Sequence, residues 1–156
     1  MINQPTGTHI KALNVLHKAL ITGQVVFAAI AFYLVYANLF VSHQKDWEKP
    51  LQLIAVLLSV GGFIIGNIIF KNRINSIIGT NESISTKMNV YRTACLVQWA
   101  LIEFGCLFSI ISFMLTGDYS FLFLAGALVL TFAMLSPTKD KVVFQLQLTD
   151  AEAAQL

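Results

Sequence analysis

Four uninterrupted apolar runs dominate the chain, at residues 19–41, 51–70, 94–115 and 119–136, separated by short polar connections. Each approaches or exceeds the roughly 18 residues that mark a membrane-crossing helix. None alternates polar and apolar positions as a barrel strand does. The pattern predicts an all-α, polytopic membrane protein with four transmembrane helices in an antiparallel bundle. A polar lead (residues 1–18) precedes this domain of residues 19–136, and a tail (residues 137–156) follows it. The first run is longer than the roughly 7–15 residues of a signal-peptide core and ends in Asn-Leu-Phe-Val-Ser-His, so it reads as a retained span.

The flanking segments carry weaker patterns. In the lead, Ile10, Leu13, Leu16 and Leu20 fall close to one helical face, Lys11 and Lys18 flank it, and His17 is expected near the membrane surface. Two readings stay open: the first helix extends out of the membrane, or a short amphipathic segment lies on the inner leaflet. Helix two is expected to run to about Ile78 and helix three to begin near Thr86, with the turn around Gly79. Asn81-Glu82-Ser83 matches a glycosylation acceptor, which a cytoplasmic loop would leave unmodified. Pro137 lacks an amide donor and ends the fourth run. In the tail, VVFQLQL alternates weakly, and Thr149 with Glu152 forms a capping-box pattern for a last short helix. Whether the tail packs on a neighbour or stays mobile is open at this point.

Composition agrees with the pattern. Of 156 residues, 56% are hydrophobic and 12% charged, about half the roughly 25% charge of a soluble domain, and mean hydropathy is +0.72. Net charge is +2, and no basic run with interleaved aromatics points to nucleic acid. The ten basic residues divide unequally. Eight fall on one side (Lys11, Lys18, Lys71, Arg73, Lys87, Arg92, Lys139 and Lys141), while Lys45 and Lys49 fall on the other. The positive-inside rule places both termini and the 71–93 connection in the cytoplasm. Cys95 and Cys106 share one run, roughly 16 Å apart along a helix, too far to bridge.

One residue breaks the apolar pattern. Glu103 is the only charged side chain in the third run, ACLVQWALIEFGCLFSIISFML, and lies near its middle. A carboxylate at that depth costs about 2.5–3.5 kcal/mol and usually faces a protein interior or a polar cavity. Trp99 and Cys106 share its face, whereas Gln98 is turned away by about 140°. Tyr33, Tyr36, Gln24, Asn38 and Asn67 are the expected hydrogen-bond partners, because no Lys or Arg falls within a run. Gly62 and Gly66, with Gly61 beside them, form a small-xxx-small surface on helix two, and Gly105 removes bulk next to the carboxyl group. Two roles for Glu103 follow: a protonated group that hydrogen-bonds within the bundle, or a site that loads and unloads H⁺ or Na⁺.

No other constellation carries chemistry. His43 and Asp46 are too few for a metal site, and no nucleophile–base pair, phosphate-cradling glycine loop or HExxH pattern occurs. A non-enzymatic protein with no cofactor is expected.

The helix two–helix three hairpin resembles the proteolipid (subunit c) family of rotary ATPases. The matching residues are Gly61-Gly62-Phe-Ile-Ile-Gly66, a polar loop, and Ala100-Leu-Ile-Glu103-Phe-Gly105. That resemblance, over about residues 55–115, implies an H⁺- or Na⁺-binding role for Glu103. The family's Arg-Gln-Pro loop motif is missing, and no second hairpin repeats the pattern. The whole architecture, including Pro137-Thr-Lys after the last run, also resembles small uncharacterised four-span proteins of bacterial inner membranes. The expectation is a self-associating or accessory subunit of a membrane complex in that membrane, with the lipid bilayer and other membrane subunits as partners. The alternative is a proteolipid-like ion-translocating subunit.

Overall fold

The computed structural model describes residues 6–39, 47–80 and 82–154. His43, Lys45 and Asp46, the last residues of the first run, and Asn81 lie outside the described residues. All regular structure within them is helical: α1 (Thr6–Tyr36), α2 (Glu48–Asn75), α3 (Ile84–Thr116), α4 (Tyr119–Met134), α5 (Lys139–Leu146) and α6 (Asp150–Ala153). Three helices are long and apolar enough to cross a membrane: Ile10–Tyr36, Glu48–Asn75 and Ile84–Thr116. The fourth run behaves differently. α4 has only 16 residues, about 24 Å, and reaches the length of a span only together with α5, from which it is bent by 76°.

Local chemistry sets these boundaries. The lead does not form a separate segment: one continuous helix runs from Thr6 to Tyr36. It stops short of residue 41 because Asn38 turns left-handed at φ 53°, and the amides of Asn38 and Leu39 bond back to Val35 and Leu34, closing the last carbonyls. Pro50 is tolerated in the first turn of α2, where an amide has no helical partner. Ser83 caps α3 by accepting from the Thr86 amide. Gly117 ends α3 at φ 73°, a left-handed turn in which its N–H reaches the Phe113 carbonyl. Asp118 then caps α4 by accepting from Ser120 N–H, and its carboxylate also accepts from the Gln52 amide of α2 at 2.6 Å. Burial pushes the Asp118 carboxyl upward, but the hydrogen bonds from Ser120 and Gln52 together hold it below the usual range.

α3 is the central helix. Half of its apolar window is buried, against 28% for α2 and 11% for α1. The contact between α2 and α3 is unusually close because glycines line it. A Cβ on Gly62 would lie 2.7 Å from the Leu101 carbonyl oxygen, one on Gly66 3.4 Å from Gln98, and one on Gly105 3.1 Å from the Ser59 Cα. Position numbers fall along α3 as they rise along α2. Gly61, expected in the same seam, instead faces open space. Beside the seam, the amide of the buried Gln98 donates to Oδ1 of the part-buried Asn67 at 2.7 Å, so each satisfies the other.

The tail packs rather than hanging free. VVFQLQL contributes to a helix, not a strand: Thr138 caps α5, and Val142 and Leu146 are buried. Tyr91 Oη donates to Gln145 Oε1 at 3.0 Å. Thr149 and Glu152 form the expected capping box, and Lys87 Nζ bonds Glu152 Oε1 at 2.7 Å. Lys87, together with Thr149's N–H and hydroxyl, draws the Glu152 carboxyl down to about 2.

Two outcomes follow from this packing. Gly62→Ala should destabilise the protein by about 1–3 kcal/mol, because the new methyl meets backbone that cannot rotate away, while Gly61→Ala should be neutral; thermal unfolding of the two variants compares them. Because the folded Glu152 carboxyl titrates below its unfolded value, its stabilising contact is complete above about pH 5 and is lost as pH falls toward 2. Amide hydrogen exchange over residues 149–153 should therefore rise at neutral pH in Glu152→Gln, and in the wild type only on acidification through that window.

Candidate functional site

α1 meets the rest of the molecule through residues at seven-residue steps. Ile10, His17, Gln24 and Ala31 are all buried, as a single face of two helices in shallow contact requires. Two of these four are polar, which is why counting apolar positions misses the seam. The His17 ring stacks nearly parallel on Phe132, with centroids 4.7 Å apart, and tilts against Trp99 at 4.8 Å. Its Nε2 lies 2.9 Å from the Phe132 carbonyl, in the last turn of α4, where carbonyls run out of helical donors. With Nε2–H donating, the histidine joins α1, α3 and α4 at one point. It is buried among aromatic rings.

The same contacts fix the register. His17 meets Trp99, and Val35 meets Gly117, so α1 and α3 advance together by equal numbers of residues. The matched length is about 27 Å, close to the roughly 30 Å of a bilayer's hydrocarbon core. On this register Gln24 is level with Cys106 and Ile21 is level with Glu103. Cys106 directs its thiol at the Ala125 carbonyl of α4, 3.8 Å away. Gln24 is 1% exposed, yet neither atom of its amide has a hydrogen-bond partner, and Trp99 Nε1 and Asn14 Oδ1 share that condition. An unpaired polar group in an interior costs about 1–3 kcal/mol.

Glu103 lies on the α1 side of α3, away from the glycine seam. It is half-buried and makes no hydrogen bond or ion pair among the described residues. The five expected partners are each accounted for otherwise. Asn67 is on the opposite flank of α3, bonded to Gln98. Tyr33 and Tyr36 are largely exposed, and Tyr33 is twelve residues beyond the level of Glu103, about 18 Å along the axis. Asn38 is farther still, in the turn that ends α1. Gln24 lies within one turn of the right level but is not bonded to the carboxyl group. Of the packing glycines, Gly62, Gly66 and Gly105 belong to the α2–α3 seam and Gly61 does not.

Chemically, the middle of the molecule holds one exposed-edge carboxyl group, one interior amide and one thiol at nearly one level, with an imidazole one to two turns away. No group of three or more His, Cys, Asp or Glu side chains converges as a metal site among the described residues. No protein-family model, curated protein or solved structure matches the chain.

The two buried polar residues of α1 should respond oppositely to removal. His17→Phe keeps the ring stack but strands the Phe132 carbonyl, at a cost of about 1–2 kcal/mol. Gln24→Leu removes an unpaired amide and should be neutral or stabilising. Unfolding midpoints of both variants test this, and a larger loss for Gln24→Leu would show that the amide has a partner after all.

Proposed function

We propose that the chain is a non-enzymatic, multi-span protein of a bacterial inner membrane that acts by assembling, either with itself or as an accessory subunit of a membrane complex. In this reading the helices form an antiparallel bundle with both termini cytoplasmic, and Glu103 belongs to an interface with another chain. The observation that carries it is the state of Glu103: a mid-helix carboxyl group, half-buried at the edge of α3, with no hydrogen-bond partner among the described residues. In an apolar surround such a group must be satisfied by something, and a neighbouring subunit supplies it.

The outer surface supports the membrane part of the proposal. Leu53, Leu57, Val60, Ile64 and Ile68 of α2 and Phe123 and Leu130 of α4 are exposed by half or more, a continuous apolar exterior that water would not tolerate as a free surface. Tyr33, Tyr36, Trp47 and Tyr119 gather exposed aromatics at one end, as the interfacial belt of a membrane protein does. The opposite end holds most of the basic residues, which supports a cytoplasmic position for that end.

A second reading has its own observation. His17 and Gln24 place a titratable ring and an unpaired amide on the α1–α3 seam that Glu103 borders, so a proton- or sodium-binding role for Glu103 has neighbouring groups to work with. Chemical crosslinking in native membranes tests the leading proposal: crosslinked species larger than the monomer are expected, and monomers alone would remove its support. For the second reading, Glu103→Gln should abolish H⁺ or Na⁺ flux in reconstituted vesicles, and unchanged flux would end it.

A further inference from the structure

At the lysine-rich end of the molecule, the last turns of α2 and the tail helix α5 enclose a cleft. Two hollows meet there. The outer one, about 510 Å³, is walled by Phe70, Ile74, Ile78, Val143 and Leu148. The inner one, about 240 Å³, reaches past Asn67, Tyr91, Cys95 and Gln98. Phe70, Lys71 and Gln145 line both, which makes the two continuous.

The lining is divided chemically. One wall is apolar, while Lys71, Lys141, Gln145 and Asn67 present donors. Lys71 is exposed at the junction and has no ion-pair partner among the described residues. Lys141 adds a second positive charge at the rim, where Nζ is held by the Met134 and Ser136 carbonyls at 2.9 and 3.2 Å. Gln145 uses Oε1 to accept from Tyr91, which leaves its N–H groups as donors. Asn67 uses Oδ1 to accept from Gln98, which leaves Nδ2 in the same role. No carboxylate lines either hollow. The cleft therefore complements an anion joined to an apolar body. Its depth fits too: Lys71 is one turn before the end of the candidate span Glu48–Asn75, where a bilayer gives way to its headgroups.

We propose that this cleft binds an anionic phospholipid. Lys71 and Lys141 supply the counter-charge to its phosphate, Gln145 and Asn67 donate hydrogen bonds, and the Phe70–Ile74–Ile78 wall takes the glycerol and upper acyl chain. Basic pockets between membrane helices on the cytoplasmic side recognise acidic headgroups in this way. A free phosphate ion would find one wall of the cleft without polar contacts. The proposal rests on the membrane insertion argued above.

The test uses the full chain in a neutral detergent, titrated with dioctanoyl phosphatidylglycerol, dioctanoyl phosphatidylcholine or inorganic phosphate, and read by native mass spectrometry and thermal shift. Phosphatidylglycerol should be retained as a single adduct and raise the unfolding midpoint, and the other two should do neither. Lys71→Glu should weaken retention at least about tenfold, Lys71→Gln should weaken it less, and Lys139→Glu, an exposed charge outside the cleft, should leave it intact. Equal binding of phosphatidylcholine, equal stabilisation by phosphate alone, or equal loss in Lys71→Glu and Lys139→Glu would each overturn the proposal. Extraction of membranes with alkaline carbonate separates the two failures. Release of the chain would contradict insertion itself, whereas a resistant chain that ignores phosphatidylglycerol would contradict only the cleft.

Discussion

The close approach of α2 to α3 is the constraint on which the rest of the structure depends. Gly62 brings its backbone against the Leu101 carbonyl, and Gly105 brings α3 against Ser59. At that separation no side chain fits between the helices, so the contact is set by backbone shape and dispersion rather than by interdigitated large residues. It fixes one flank of α3 completely. α4 and α1 then cover a second sector through Trp99, Cys106, Ile110 and Phe113, all buried. The remaining face of α3 is open, with Phe104, Ile111 and Leu115 exposed on it, and Glu103 lies at its border.

Much of this was legible in the sequence, and the parts that were not have identifiable causes. The apolar runs gave the helices, because a run of 20 apolar residues has few other ways to satisfy its backbone. The small-xxx-small spacing of Gly62 and Gly66 gave the seam, and Thr149 with Glu152 gave the capping box. Gly61 falls outside this seam because adjacent residues on a helix point 100° apart, so only one of a glycine pair faces a given neighbour. The short length of α4 was legible in the run 119–136 and in Pro137, but the 76° bend into α5 was not, because the tail's weak alternation masked a helix capped by Thr138. The α1 seam was hidden because His17 and Gln24 interrupt its apolar repeat. The distant candidates for Glu103, Tyr33, Tyr36 and Asn38, share its chemistry but not its depth, which a list of residue types does not encode.

Polar groups in this molecule fall into three states, and the distinction organises the functional proposal. Gln98 with Asn67, Tyr91 with Gln145 and Lys87 with Glu152 are mutually satisfied and hold helices together. Gln24 is sealed inside without a partner, and its 1% exposure bars a second chain from reaching it. Glu103 makes no hydrogen bond among the described residues, yet it is only partly buried, and it is the carboxyl group nearest the middle of α3. Under the proposed function a carboxyl group in that state marks the assembly surface, and under the lipid proposal the lysine-lined cleft at the tail is a second place open to an outside molecule.

The central claim is that another protein chain covers Glu103 in the membrane. Replacing Glu103 with a benzophenone-bearing amino acid, and Phe104 with the same group as a neighbouring control, measures this directly after irradiation of intact membranes. The account predicts covalent adducts to a second protein chain from position 103, whether a second copy or another subunit, and adducts mainly to lipid from position 104, whose side chain is 58% exposed. Adducts to lipid alone from position 103 would contradict it.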